Sequence, residues 1–298
     1  MLNTFVKTAF AGRKAAKQRQ TGRFHKAVPS VAQVFPRLTA KVFARRYLQS
    51  EHQILRDVRH SETPFEVIKC GAGYILRLDA TDAQGTRRRC LIVPGHGGHY
   101  KQFLRLIRNL HKNQFSVDIL AFPGHLGKKR ETCSMRSIAQ TVRTASKQHG
   151  IYHLLVAHCV SANAVLFELE NGPLSARYAF ISIPLKLQNL IRSGGELIGL
   201  AGKSLSYFIK QVDALGAPYQ LDKDWYKVAE SQSAPLLLLH STNDFAAPFE
   251  DIAPLQRTWP AAQVTLYESG DHNGIVTSKR TVDRLVTFAL DEADRISA

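Results

Sequence analysis

The chain has 298 residues and a mass of 33.3 kDa, which is enough to bury the core of one large α/β domain or of two small ones. Its content of 44% apolar and 21% charged residues is that of an ordinary globular protein and excludes disulfide-stabilised miniproteins, fibrous proteins and wholly disordered chains. No stretch approaches the roughly 18 uninterrupted apolar residues of a membrane-spanning helix, so the sequence predicts none.

The net charge of +16 is concentrated near the N-terminus. Residues 1–50 contain eleven Lys and Arg and no Asp or Glu, whereas residues 51–298 hold the other 29 basic residues against all 24 acidic ones. We therefore interpret residues 1–60 as a basic N-terminal arm. Within this arm, apolar residues at helical spacing predict a short basic amphipathic helix, formed by Leu2, Phe5, Val6, Ala9 and Phe10.

Three roles for the arm are compatible with this pattern. The apolar side of its helix could pack on the domain's own surface, residues 1–50 could bind an anionic membrane surface, or the arm could be a mitochondrial-type targeting segment. Specific nucleic-acid binding is not expected, because the sequence has no helix-turn-helix, zinc-finger or RNP signature.

The cysteines and histidines predict neither a metal site nor another cofactor. No two cysteines form a CxxC pair, so we expect Cys70, Cys90, Cys133 and Cys159 to be free thiols in a reducing compartment. This favours a cytoplasmic protein, with peripheral membrane association as the alternative. Five histidines lack the helical i, i+4 spacing with a carboxylate that metal sites use, namely His96, His99, His125, His153 and His158.

From about residue 65, short apolar runs alternate with longer amphipathic segments, which predicts a mostly parallel sheet with helices on both faces in a domain at residues 61–298. The predicted strands are Tyr74–Leu78, Arg89–Val93, Ser116–Ala121, Leu154–Val156, Tyr178–Ile183, Leu236–His240 and Gln263–Tyr267. The predicted helices are Tyr100–Leu110, Met135–His149, Ala162–Glu170 and Thr281–Ala293. The helical pieces Leu185–Ile191 and Glu196–Lys210 predict a helical cap at about residues 185–233 over a site.

A candidate nucleophile follows one of these strands. Residues Ala157–Ser161 read Ala-His-Cys-Val-Ser and lie between the strand Leu154–Val156 and the helix Ala162–Glu170. A strand, a sharp turn and a helix form the context of a nucleophile elbow, in which small residues flank the strained nucleophile two positions away on either side. Cys159 occupies the nucleophile position. The alternative is an inert buried thiol in an ordinary turn.

A glycine-rich loop, residues 94–98, follows the strand Arg89–Val93. Such a loop turns sharply and exposes backbone N–H groups, as an oxyanion hole requires. The predicted donors are the backbone N–H groups of His96 and of Val160, the residue after the candidate nucleophile; a plain glycine-rich turn is the alternative. The residues expected beside the substrate are Gly95, Gly97, Gly98 and His158, although His158 could equally serve in packing.

An acid and a histidine follow two later strands. Asp244 comes shortly after the strand Leu236–His240, and His272 comes shortly after the strand Gln263–Tyr267. The chain order nucleophile, acid, histidine, with each residue after a predicted strand, is the order of a hydrolase triad on a parallel sheet. Asp271 and Asp213 are alternatives to Asp244 as the acid.

The sequence resembles the α/β-hydrolase superfamily over roughly Val67–Ala293. The resemblance is strongest in Leu91–Phe103, Ala121–His125, Val156–Ala164, His240–Pro248 and Ser269–Asn273. The chain departs from the family's usual motifs at Pro94, where a His is usual, at Ala121, where an Asp is usual, and at Leu126, where a Gly is usual. A cysteine in the elbow is similar to the arrangement in dienelactone hydrolases and polyhydroxyalkanoate synthases.

This resemblance implies nucleophilic acyl transfer, in which Cys159 attacks, His272 moves the proton and Asp244 orients the imidazole. The first hypothesis is therefore an acyl hydrolase for carboxylic esters or thioesters, with a small-molecule acyl substrate that the apolar residues of the cap suit. An acyltransferase with the same triad is the alternative, because a thioester intermediate also reacts with amines, thiols and alcohols. A catalytically inactive protein that binds a ligand or partner, and a peripheral membrane protein located by its basic arm, are the remaining hypotheses.

Overall fold

The computed structural model describes residues 23–80, 88–127 and 131–291, with the side chains of residues 23–27 left out. The helices within these ranges are α1 (Arg23–Val34), α2 (Pro36–Tyr47), α3 (Ile54–Arg59), α4 (Leu104–Lys112), α5 (Met135–His149), α6 (Val160–Glu168), α7 (Leu187–Leu197), α8 (Gly202–Gly216), α9 (Tyr226–Glu230), α10 (Phe249–Thr258), α11 (Gly274–Thr277) and α12 (Lys279–Leu290). The strands are β1 (Glu66–Cys70), β2 (Gly73–Leu78), β3 (Arg88–Val93), β4 (Phe115–Ala121), β5 (Leu154–His158), β6 (Tyr178–Ile181), β7 (Leu236–Ser241) and β8 (Ala262–Tyr267).

The eight strands form one sheet in the order β1-β2-β4-β3-β5-β6-β7-β8. β2 pairs antiparallel with β1 and with β4, and the strands from β4 to β8 in this order are parallel. The predicted fold class, a mostly parallel sheet with helices and a helical insertion before β7, is confirmed. The carboxyl ends of the parallel strands meet at one edge of the sheet, where open α/β sheets bind their ligands.

Both faces of the central strands are buried, which explains why these strands read as unbroken apolar runs. α5, α6 and α10 cover one face, and α4 and α12 cover the other. Alternate residues of each strand therefore enter different clusters. Leu91, Leu155, Phe180 and Leu238 pack on the first face, whereas Ile92, Val156, Ile181 and Leu237 pack on the second.

The seven predicted strands are present, with ends shifted by at most two residues, and β1 is an eighth strand that the sequence did not predict. β1 is the antiparallel edge strand, and Glu66 and Lys69 leave it without a continuous apolar run. The helix predicted at Tyr100–Leu110 is a short 3-10 turn, Tyr100–Phe103, followed by α4. The last two residues of the helix predicted at Thr281–Ala293 lie outside the described residues.

The cap helices were predicted several residues too early. The observed cap helices are α7 and α8, and Gly194 and Gly195 lie inside α7. These glycines permit close approach of neighbouring side chains. A Cβ on Gly194 would lie 2.7 Å from a ring carbon of Tyr47, and one on Gly195 would lie 2.5 Å from a methyl carbon of Leu205.

The second half of the predicted arm packs against the cap. The inner side of α2 buries Ala40, Phe43, Ala44 and Tyr47 against α7 and α8. The amphipathic helix predicted within residues 2–10 lies outside the described residues, and the domain boundary at residue 60 stays a prediction. Within the described ranges, no helix is long and apolar enough to cross a membrane.

We expect Gly195→Ala to destabilise the fold, because the new methyl group would meet Leu205 and would also lie 2.9 Å from the ring of Phe208. Overpacking costs about 1–3 kcal/mol and exceeds the gain of about 1 kcal/mol from replacing a helical glycine with alanine. Urea unfolding measures the difference. Gly216→Ala in α8 is the matched control, because its Cβ would lie 3.4 Å from Met135, an ordinary contact, and it should not lower the free energy of unfolding. Equal stability of both variants would contradict the assigned contact.

Candidate active site

Cys159 lies in a strained turn between β5 and α6. Its backbone has φ 55° and ψ −137°, a left-handed conformation that residues other than glycine rarely adopt. The backbone N–H of Cys159 donates to the carbonyl of Ile181 at 2.9 Å, which anchors the turn to the end of β6. Strain of this kind at the carboxyl end of a parallel strand is the backbone geometry of a nucleophile elbow.

Small residues around the turn allow the glycine-rich loop to approach it closely. A Cβ on Gly95 would lie 3.0 Å from the Cβ of Cys159. The hydroxyl of Ser161 donates to the carbonyl of Pro94 at 2.6 Å and so ties the first turn of α6 to this loop. Ser161, the small residue two positions after Cys159, therefore contacts the glycine-rich loop directly.

His272 and Asp244 form a buried pair beside Cys159. His272 Nδ1 lies 2.8 Å from Asp244 Oδ2 and 3.0 Å from Oδ1, and Cys159 is close enough to raise the pKa of the same histidine. The carboxylate also accepts the backbone N–H groups of Ala246 and Ala247, both at 3.0 Å, which hold it in a fixed turn after β7. The structure therefore brings together all three side chains that the sequence singled out.

The two alternative acids are engaged elsewhere. Asp271 Oδ1 accepts the backbone N–H of Gly274 at 2.7 Å and begins α11. Asp213 Oδ1 accepts the backbone N–H of Leu221 at 2.8 Å within the cap. Asp244 is the carboxylate bound to His272 Nδ1.

Charge in this trio favours a protonated imidazole. Burial lowers the pKa of His272, but the charge of Cys159, the hydrogen bonds to Asp244 and Cys159 and the charge of Asp244 raise it, to about 10. Burial raises the pKa of Asp244, but His272, together with Ser182 and His240, lowers it below its ordinary value. At neutral pH the site therefore has an imidazolium beside the carboxylate of Asp244 and the side chain of Cys159.

The predicted oxyanion donors belong to adjacent backbone segments. Val160 is the first residue of α6, so its N–H has no acceptor within the helix. Gly97, with φ 68°, donates its N–H to His125 Nε2 at 3.2 Å and accepts from His52 Nε2 at 2.8 Å. The N–H of Gly98 donates to the carbonyl of Gly95 at 2.9 Å. These bonds fix the loop around His96.

His158 orients the loop that carries His272. Its Nε2 donates to the carbonyl of His272 at 3.2 Å, and the two imidazole rings are 5.1 Å apart. Burial, reinforced by the neighbouring His272, lowers the pKa of His158 to about 3, so this ring is neutral under ordinary conditions. Its position combines the two roles that the sequence left open, because it packs behind His272 and also lines the cavity.

A cavity of about 410 Å³ opens onto Cys159 and His272. Its wall opposite the sheet comes mainly from apolar side chains of the cap, namely Leu187, Leu190, Ile191, Val212 and Leu221. This volume and lining are typical of sites for small apolar ligands with a few polar groups at one end. The predicted position of the cap over the site agrees with this geometry.

Tyr47 is a cavity residue that the sequence analysis missed. It ends α2, is almost fully buried, and stacks on the imidazole of His96 with ring centroids 6.0 Å apart. Burial and the charge of Cys159 raise the pKa of Tyr47, so its phenol stays protonated. The helical spacing of Ala40, Phe43, Ala44 and Tyr47 was the available signal for a buried helix face.

The remaining cysteines differ from Cys159. All four are free, but Cys70, Cys90 and Cys133 are at most 1% exposed, whereas Cys159 is 7% exposed at the cavity. Burial raises the pKa of Cys70 to about 11, and it also raises the pKa values of Cys90 and Cys133. Among the described residues, no group of histidine, cysteine and acidic side chains has the geometry of a metal site.

Comparison with known proteins identifies the fold. No protein-family model and no curated protein sequence matches the chain. Solved structures do match: an esterase from Exiguobacterium antarcticum (TM-score 0.57, 12% identity, 76% of this chain and 100% of that one) and a monoacylglycerol lipase from Paleococcus ferrophilus (0.53, 16%, 73% and 98%). A hydrolase from Oleispira antarctica is also similar (0.53, 17%, 73% and 94%). At these identities the similarity shows the fold, which is that of the α/β-hydrolases.

Proposed function

We propose that this chain, which has the α/β-hydrolase fold, is an acyl hydrolase that cleaves carboxylic esters or thioesters with Cys159 as its nucleophile. The proposal rests on the meeting of Cys159 with the hydrogen-bonded pair His272–Asp244 at the inner end of an apolar cavity, with Cys159 in a strained turn. A strained backbone, a buried charged pair and a cavity at one point are the combined features of a nucleophilic site.

The first half-reaction forms a thioester on Cys159. The thiolate attacks the acyl carbon, and the backbone N–H groups of His96 and Val160 stabilise the negative oxygen of the tetrahedral intermediate. When this intermediate collapses, the bond to the leaving alcohol or thiol breaks, and the imidazolium of His272 gives that group its proton. Asp244 holds the imidazole in the required orientation.

The second half-reaction releases the acid. His272, now neutral, takes a proton from water, and the hydroxide oxygen attacks the thioester carbon. The carbon–sulfur bond then breaks, leaving the carboxylic acid, the thiolate of Cys159 and the imidazolium of His272. An imidazolium is therefore both the start and the end of the cycle, in agreement with the raised pKa of His272.

The lining supports an apolar acyl group as the substrate class. The cap leucines and Ile191 face the cavity, and the polar lining groups, such as His52, His96 and Asn273, belong to loops after α2, β3 and β8. An acyl chain can lie against the cap while its carbonyl reaches Cys159. No fixed carboxylate or cationic side chain is needed to bind such a chain.

A panel of acyl p-nitrophenyl esters and acyl thioesters of increasing chain length tests the proposal. We expect turnover by the wild type and, after acid quenching, a mass increase equal to one acyl group on the peptide that contains Cys159. Hydrolysis predicts free acid as the product, whereas transfer to an added amine, thiol or alcohol would identify the acyltransferase alternative. Ligand binding without turnover and without an acyl adduct would identify a non-catalytic binding protein.

Tyr47→Phe should lower kcat/KM about tenfold, the value of one hydrogen bond of about 1.4 kcal/mol. The phenol is protonated, and Tyr47 lines the same cavity as Cys159. Within the described part of the chain no residue is hydrogen-bonded to its hydroxyl, so the hydroxyl can donate to the reacting acyl group. The ring contacts with His96 and Phe208 survive this substitution. Tyr226→Phe is the control, because Tyr226 is exposed in the cap, and its kcat/KM should match the wild type. An unchanged kcat/KM for Tyr47→Phe would limit Tyr47 to packing.

A further inference from the structure

The outer side of α1 and α2 carries an apolar stripe, formed by Val31, Val34, Phe35, Leu38 and Val42. These side chains are 50–68% exposed and make up half of the large exposed apolar residues among the described ones. Their spacing of three or four positions places them on one side of the helix. Hydrogen bonds from Phe35 N–H to Val31 O and from Thr39 N–H to Phe35 O keep the helical path continuous from α1 into α2.

The apolar stripe lies opposite the buried side of α2. Phe43, Ala44 and Tyr47 pack against the cap, and the 3.6-residue period turns Leu38 and Val42 away from them. The five side chains of the stripe therefore do not pack in the core of the described structure. A contiguous exposed apolar surface of this kind marks a site of interaction.

Positive charge accompanies the stripe on both sides. Lys41 and Arg45 flank it on one side and Arg46 on the other, and all three are exposed. The cap extends this positively charged surface. Arg37 lies over the ring of Tyr207 at 5.3 Å, and the charges of Arg37, Lys203 and Lys210 lower the pKa of this tyrosine. No acidic residue occurs in residues 1–50 to neutralise these charges.

We propose that the apolar stripe docks on the surface of an anionic phospholipid bilayer. An apolar stripe flanked by Lys and Arg is the kind of helix surface that inserts among anionic lipid headgroups. A second copy of this chain would instead bring two sets of like charges together. Residues 1–22 are themselves basic and free of acidic residues, so they do not supply the missing negative charge.

Docking in this orientation would hold the cavity close to the bilayer. α2 has the apolar stripe on one side and ends at Tyr47, which lines the cavity on the other side. The docking surface does not depend on the reaction proposed for Cys159, because none of its residues touches the cavity.

Sedimentation with phosphatidylcholine vesicles, with and without phosphatidylserine, tests the proposal on the full-length chain. We expect binding to the phosphatidylserine vesicles, weakened by salt, and a loss of about tenfold or more in Leu38→Asp and, independently, in Val42→Asp. Ile151→Asp is the matched control, because Ile151 is 62% exposed against 63% for Leu38 and lies just before β5, at the opposite end of the sheet from the site. Thermal unfolding of each variant reports whether it is folded.

Three outcomes would overturn the proposal. The wild type could fail to bind anionic vesicles, or Leu38→Asp could bind as well as Ile151→Asp, which would assign any membrane affinity to other residues. Light scattering could also show a dimer in solution that Leu38→Asp dissociates, which would identify the stripe as a contact between copies. Binding that is retained by the control and lost by both stripe variants supports it.

Discussion

Cys159→Ala should abolish turnover, with a fall in kcat of at least about a thousandfold, because no other nucleophile among the described residues is aligned with His272. The substitution removes a single sulfur atom from a small side chain and leaves the cavity and the His272–Asp244 pair in place. We therefore expect the variant to fold and to bind the acyl ligands of the wild type. Steady-state kinetics and a competition-binding assay measure the two quantities separately.

The control for this prediction is Cys70→Ala. Cys70 is buried at the end of β1, where its thiol donates weakly to the carbonyl of Thr141, so the variant should lose some stability and keep its kcat. The acyl adduct should be absent from Cys159→Ala and present in Cys70→Ala. Turnover by Cys159→Ala at a rate similar to the wild type would exclude Cys159 as the nucleophile.

His272→Gln should lower kcat by about a thousandfold, because the glutamine amide cannot carry the proton. Its amide takes the place of Nε2, and Asp244 keeps the hydrogen bonds from the backbone N–H groups of Ala246 and Ala247. The pKa of His272 is raised from 6.5 to about 10, so wild-type His272 remains protonated across the neutral range and loses its proton only as the pH rises through about 10. The acylation rate of the wild type should therefore remain high at slightly acid pH, whereas that of His272→Gln should be low there.

His153→Gln provides a matched control for this substitution. His153 lies just before β5, at the opposite end of the strand from Cys159, and its side chain is hydrogen-bonded to the carbonyl of Ala289 at 2.9 Å. Its kcat and the pH dependence of its acylation rate should resemble those of the wild type. Equal losses in both variants would indicate a general loss of structure rather than of proton transfer.

The position of the candidate site was predictable because its chemistry falls at the ends of buried strands. Short polar or glycine-rich sequences follow β3, β5, β7 and β8, so the sequence places them at one edge of a parallel sheet. The chain order of Cys159, Asp244 and His272 is also the order nucleophile, acid, histidine of a triad on such a sheet. The sequence favoured Asp244 over Asp271 because Asp244 closely follows a strand, and in the folded turn it is Asp244 that binds His272 Nδ1.

The features that were missed depend on contacts between distant segments. The two predicted cap helices left out Gly194 and Gly195, but their lack of side chains allows the close packing of Tyr47 and α8 inside α7. Tyr47 belongs to a basic segment whose charge indicated a solvent-exposed arm, and only the folded chain brings it to Cys159. At both places, tertiary packing outweighs what the local sequence indicates.

The rate at which a small alkylating reagent modifies Cys159 between about pH 5 and 9 distinguishes an activated nucleophile from an inert thiol. Mass spectrometry compares this rate with those of the buried Cys70, Cys90 and Cys133 in the same sample, and His272→Gln is measured in parallel. We expect fast modification of Cys159 alone, persisting well below the ordinary thiol value of about 8.5 and lost in His272→Gln. Modification of Cys159 no faster than that of the other three cysteines, or unchanged in His272→Gln, would contradict an activated nucleophile.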